Sequence, residues 1–432
     1  MKRKLNEKYV YYGIMLFVVA IFLVIMFSER KKRETELDIE SKLPKIQQEE
    51  TQSKAQTEEQ MIRVVIKTNG FQEIAHAEGG LIATAGDEKR EYGQGEVFAV
   101  TPDDAMFQKG TIKVESVFSG DKITVSSLNR GYGTPSYLGS FELFSSAEGM
   151  ILVNELPLEE YLYAVVPSEM PASYELEALK AQAVCARSYA YNQTQGLSYP
   201  EYNAHVDDST SFQVYGNSKE QESAVRAVDE TRGQKLWYQN QVVTAYYSTS
   251  CGKTTGIEAW GTTPDEQNQY LQSVEICKED GNSYEAELPW YRWKAVVPER
   301  VLSNLIELNT ATEIGTLQNV SVTKRGAGGV ALQIVAQGDG GSVTVDTENK
   351  IRRALGGKGY QIEKQDGTVV DSQNLLPSAF FQIEKSEGNY IINGGGYGHG
   401  IGMSQNGANE MAKCGKTYIE ILQLFYQGVT VE

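Results

Sequence analysis

The 432-residue chain is poor in soft ligands: it has four cysteines and three histidines. So few argue against a disulfide-dense scaffold and against a cysteine-rich zinc centre. Basic excess is missing too. Net charge is −17, and residues 1–33 hold eight Lys/Arg against two Glu, which leaves 32 basic and 55 acidic residues beyond them, near −23. Nucleic-acid partners need a basic footprint, so they are excluded. A strongly anionic substrate would require a locally basic site. No complete phosphate-loop motif, Gly-x4-Gly-Lys-Ser/Thr, occurs. What remains is an ordinary globular composition, 41% hydrophobic and 22% charged, long enough for more than one domain.

Residues 9–28, YVYYGIMLFVVAIFLVIMFS, run for 20 positions without a charge. That is long enough to span a bilayer once, and no small-x-small cleavage site follows, so the segment reads as an uncleaved anchor. Lys2, Arg3, Lys4 and Lys8 balance Arg30, Lys31, Lys32 and Arg33 across it, so charge does not set the orientation. Residues 29–60 are rich in Gln, Glu and Lys and read as a stalk. From residue 61 the pattern changes to short period-two runs (IRVVIKTN, TIKVESVF, FELFSS) broken by Gly, Asp and Asn.

Residues 165–191, VVPSEMPASYELEALKAQAVCARSYAY, put Glu169 in a proline-bracketed loop ahead of an alanine-rich helix. Ser173 is the expected N-cap of that helix, and Leu179, Ala183, Ala186 and Ala190 form its buried stripe. Lys180 and Arg187, seven residues apart, share a flank of it. A lone acid beside two cations suits acid/base chemistry, or is simply a solvated loop glutamate. A second helix is expected from Ser218, capped with Gln221, and a last one from Thr417 with Glu420 as its capping box. Between them KLWYQNQVV turns at Gln239–Asn240 as a hairpin.

Residues 393–408, NGGGYGHGIGMSQNGA, hold seven glycines in sixteen positions, which no regular helix or strand interior tolerates. A dinucleotide fingerprint fails, because no βαβ unit can follow so near the C-terminus. The loop presents His399, which on its own is as well read as a structural histidine as a catalytic one.

Together VVPSEMP…EALKAQAV-ARSYA and GYGHGIGMSQNGA…YIEILQLFY closely resemble the SpoIID/LytB family, the stage II sporulation protein D family, over residues 62–429. The resemblance implies a peptidoglycan lytic transglycosylase acting on strands freed of stem peptides by an amidase, with no cofactor. It assigns Glu169, in the family's EMP motif, as the catalytic acid/base. It implies that Lys180 and Arg187 orient substrate and that Ser248, His399, Ser404 and Gln405 line the groove. Tyr215, Tyr246 and Tyr247 are sugar-stacking faces or core residues. For Glu169 to hold a proton, burial must outweigh the nearby cations.

Anchor and stalk also resemble sporulation members of the family, which implies a single-pass cell-membrane protein with an extracytoplasmic C-terminal domain. Glycan strands, a cell-wall amidase and other engulfment membrane proteins are the implied partners. A non-catalytic glycan binder that enhances an amidase is the competing class. Where some members bind zinc, this chain has HVDDSTSFQVY, with Asp207, Ser211 and Phe212 at the ligand positions, so no metal is expected. A weaker set would be His205, Asp207 and Asp208. In an exported domain Cys251 and Cys277 are a possible disulfide, whereas Cys185 and Cys414 read as buried.

The expected architecture is α+β. A tail (1–8), a transmembrane helix (9–28) and a stalk (29–60) precede a β-rich part (61–150). A catalytic core (151–294) carries the alanine-rich helix and β-hairpins. An inserted subdomain (295–385) shows no chemical motif, and residues 386–432 hold the glycine-rich motif and last helix.

Overall fold

A computed structural model describes residues 59–67, 77–146, 149–216 and 218–432. The expected anchor and nearly all of the stalk lie outside these residues; among the described ones no helix is long and apolar enough to cross a membrane. Residues 60–432 form one compact unit, and the class is α+β as expected.

The period-two runs build a seven-stranded sheet in the order 88–92, 81–85, 112–116, 140–146, 149–157, 61–66, 206–207. All neighbours are antiparallel except the last pair, Met61–Ile66 with Val206–Asp207. Alternation explains the pairing: Ile112, Val114, Phe141, Leu143 and Leu152 point to one buried face. Asn154 is buried in the strand that leads to the helices. It donates from Nδ2 to the carbonyls of Leu138 and Ser140, both at 3.0 Å, and accepts the Tyr215 hydroxyl at 2.7 Å. Tyr215 is therefore a fully buried core residue, 1% exposed, and offers no face to a sugar.

Pro157 ends that strand and caps α1 (Leu158–Glu169), whose first turn carries Glu159 and Glu160 at the positive end. Glu169 is thus the last residue of a helix, not a loop residue. Pro167 lies in the final turn and has no N–H to give the Tyr163 carbonyl; the helix closes on the bond from the Met170 N–H to the Val166 carbonyl, and Val165, Val166 and Pro167 are all buried. The alanine-rich α2 (Leu176–Gln193) starts later than Ser173, at a Glu175 cap whose N–H donates to Asn409 Oδ1 at 2.9 Å. It is buried nearly all round rather than along one stripe. Small side chains let it pass through the middle of the helical layer, against α1, α3 (Glu222–Glu230) and the C-terminal helices. Helix α3 begins at Glu222 with no side-chain cap, not at Ser218.

The expected hairpin is present. Gln239 and Asn240 take positive φ of 49° and 62° between strands Leu236–Tyr238 and Gln241–Val242. A five-stranded sheet follows in the order 369–371, 361–364, 293–298, 389–394, 381–386, with helix α4 (Glu299–Thr310) against it. A three-stranded sheet (317–325, 331–338, 342–346) leads into helix α5 (Glu348–Leu355). Strand Asn389–Gly394 delivers the chain to the glycine-rich loop. There Met403–Ser404 pairs parallel to Tyr247–Ser248. Gly402 has φ +71°, and a Cβ on it would lie 2.0 Å from the Tyr246 carbonyl, so this position requires glycine. Ser404 then caps α6 (Gln405–Lys413) by accepting the Gly407 N–H at 3.1 Å, and α7 (Tyr418–Phe425) opens with the expected Thr417/Glu420 capping box.

Candidate active site

Glu169 lines a cleft of about 450 Å³ between the end of α1, the 210–214 loop, the 245–247 segment, the Trp260 turn, helix α5 and the glycine-rich loop. Its side chain is partly buried, and Oε1 accepts the Val214 N–H at 2.6 Å. Burial pushes the carboxyl up to about 7, with the Val214 bond working against the shift. A carboxylic acid so placed holds its proton near neutral pH. Gln405 fixes the backbone from behind, donating from Nε2 to the Glu169 carbonyl at 3.0 Å and to Gln182 Oε1 at 3.2 Å.

The cations expected beside this acid are elsewhere. Arg187 is 1% exposed and grips Glu159 through Nε at 2.7 Å and Nη2 at 2.8 Å, with further bonds to the carbonyls of Val228 and Gln234. Lys180 bridges Glu177 at 2.9 Å and Glu230 at 2.6 Å. Helix periodicity explains the displacement. Lys180 and Arg187 share one flank of α2, while Gln182 and Tyr189, each two residues on, share the opposite flank that faces Gln405 and the cleft. The expected conflict between the proton on Glu169 and these charges does not arise.

His399 lines the same cleft. Its Nδ1 accepts the Ile401 N–H at 3.0 Å, which puts the proton of the neutral ring on Nε2. Burial, followed by the positive charge of Arg352, depresses it to about 4, so the ring is neutral at physiological pH. Trp260 lies beside it, ring centroids 5.1 Å apart, and Tyr246 packs edge-on to Trp260 at 4.7 Å. With Tyr189 and Phe212 these rings give the cleft an aromatic wall. Tyr247 reaches the cleft and accepts Gln213 Nε2 at 3.1 Å.

Ser248 and Ser404 are buried scaffold. Ser248 Oγ accepts the Gly400 N–H at 3.3 Å, and Ser404 Oγ donates to Glu285 at 2.6 Å. Glu285 also holds the Ser250 hydroxyl and the Cys251 N–H, and burial raises it to about 7. Cys251 and Cys277 are free thiols, so the disulfide is not formed; Cys251 is buried, with its thiol on the Ser404 hydroxyl. Cys414, expected to be buried, is exposed at the C-cap of α6. His205, Asp207 and Asp208 diverge: His205 accepts the Arg63 N–H, Asp207 pairs with Lys67, and Asp208 with Arg130.

Four contributors, Glu348, Arg352, Tyr189 and Trp260, carry no signal singled out in the sequence. Glu348 and Arg352 enter the cleft from the inserted region, joined at 2.9 Å across one turn of α5. Their only sequence signal is an i, i+4 acid–base spacing in a short helix. Tyr189 lies seven residues after Gln182 on one face of α2, a spacing that points to the cleft only once Gln182 is placed beside Gln405.

Residues 146–238 match the family model described as "Stage II sporulation protein" (SpoIID), and residues 234–402 match a "Domain of unknown function" (DUF8618). The chain is 33% identical over 294 residues to stage II sporulation protein D of Bacillus subtilis (strain 168), covering 65% of this chain and 75% of that protein. The protein of the same name from Bacillus amyloliquefaciens is 32% identical over 295 residues, with the same coverage. The amidase enhancer of Bacillus subtilis is 30% identical over 295 residues, 62% of this chain but 40% of that protein. With the EMP acid and the glycine-rich loop meeting at one cleft, and with similarity of this extent, the chain belongs to the SpoIID family.

Proposed function

We propose that the protein is a lytic transglycosylase that cleaves the bond between N-acetylmuramic acid and N-acetylglucosamine in peptide-stripped wall glycan. The observation that carries this reading is the Glu169 carboxyl, raised to about 7 in an aromatic-walled cleft. Protonated Glu169 donates to the glycosidic oxygen as the C1–O bond breaks. The carboxylate then takes the proton of the muramic C6 hydroxyl as O6 bonds to C1, which leaves a 1,6-anhydro end and a regenerated acid. The nucleophile belongs to the substrate, so a second carboxylate to activate water is not needed. Glu348, the other acid lining the cleft, is committed to Arg352, which supports the transglycosylase over the hydrolase. Neutral His399 and the Trp260 and Tyr246 rings serve as positioning surface for the sugars.

The same reading places the domain outside the cell, held to the membrane through residues 9–28, in engulfment or wall remodelling beside an amidase. A second reading, a glycan binder that stimulates an amidase, draws support from the relative named amidase enhancer. Incubation of purified protein with denuded strands separates them: anhydro-muramic ends indicate the enzyme, and strand binding without such ends indicates the binder.

A further inference from the structure

Arg352 is held from two sides. Nε donates to the Leu376 carbonyl at 2.8 Å and Nη1 to Glu348 Oε1 at 2.9 Å, while Nη2 has no hydrogen-bond partner among the described residues. Glu348 Oε2 is buried and likewise unpartnered. Among the described residues Arg352 is the only Lys or Arg lining the Glu169 cleft, and His399 beside it is neutral. A pinned guanidinium with one open edge, in a strongly acidic chain, is a preformed site for one carboxylate.

Resting on the transglycosylase reading, we infer that Arg352, oriented by Glu348, recognises the free lactyl carboxylate of muramic acid and so selects strands whose stem peptides are gone. On a peptide-bearing strand that carboxylate is an amide, which carries no charge and adds bulk where the guanidinium expects an anion. Recognition therefore comes from the inserted region, while the acid comes from α1. Arg352 and Glu348 are a specificity device; neither moves a proton in the reaction.

The test is co-sedimentation of the full chain, carrying Glu169→Gln so that strands stay intact, with two probes. One is denuded glycan; the other is the same glycan with its lactyl carboxylates coupled to methylamine. Binding to the carboxylate form should be at least about tenfold tighter, as a lost charge-assisted hydrogen bond implies. Glu348→Gln with Arg352→Gln, which removes both charges together and leaves none buried alone, should bring the two probes within about twofold. Arg352→Lys keeps charge without the fork and should retain a smaller preference in the same direction. A parent protein that binds both probes alike, or a doubly substituted one that keeps the full preference, overturns the inference. The binding ratio is read without cleavage, so absence of anhydro ends from the unsubstituted protein would defeat the catalytic reading separately.

Discussion

Gln405 donates from Nε2 to the carbonyl oxygen of Glu169 at 3.0 Å, across a separation of 236 residues. The bond ties the two family motifs to each other: the glycine-rich loop sets the start of α6, and α6 sets the end of α1. The Gln182 amide stands on the other side of Gln405.

Gln405→Leu removes both bonds and leaves the Glu169 carbonyl and Gln182 buried without partners. Loss of about 1–3 kcal/mol in stability is expected. The fall in kcat should exceed the change in KM, because the acid is misplaced while the sugar-binding wall is untouched. Denaturant melts with steady-state assays check both.

Activity should fall as pH rises through about 7, since the proton on Glu169 is the reagent. His399, depressed to about 4, stays neutral through this range and imposes no acidic limb above pH 5. A pH profile of kcat/KM that is flat from 5 to 9 would contradict this assignment.

Stability should fall over the same window. Glu285, like Glu169, has a folded value of about 7 above an ordinary 4.5, so the folded form holds protons that the unfolded chain releases. The contribution is complete below about pH 4.5 and lost as pH rises through 7, on the order of 3 kcal/mol for Glu285. Glu285→Gln should flatten the dependence of Tm on pH between 4.5 and 7.

Arg187→Ala should behave as a folding defect. It strands Glu159 beside a buried cavity and costs about 3–5 kcal/mol. Glu159→Leu with Arg187→Met should recover most of that loss. Normal stability with a selectively raised KM would return Arg187 to a substrate role.

What was legible in the sequence followed periodicity and local rules: the strands of the first sheet, the Gln239–Asn240 turn, the Thr417 capping box and the family motifs. What was not legible depended on long-range placement. Lys180 and Arg187 were correctly put on one flank of α2, but nothing local says that Glu177, Glu230 and Glu159 would meet them there. Tyr215 reads in the sequence as either a sugar platform or a core residue, because burial cannot be read from a single aromatic; the core reading holds, with Asn154, 61 residues away, accepting its hydroxyl. Glu348 and Arg352 reach the cleft only because α5 follows the three-stranded sheet back toward Trp260.

Mass spectrometry of denuded glycan treated with the full chain and with its Glu169→Gln form tests most directly whether Glu169 is the lone acid/base. The unsubstituted protein should release fragments ending in 1,6-anhydro-muramic acid, and Glu169→Gln should lower their rate by at least about 100-fold while binding strands normally. Anhydro ends formed at an undiminished rate by Glu169→Gln, or reducing ends in place of anhydro ends, would contradict it.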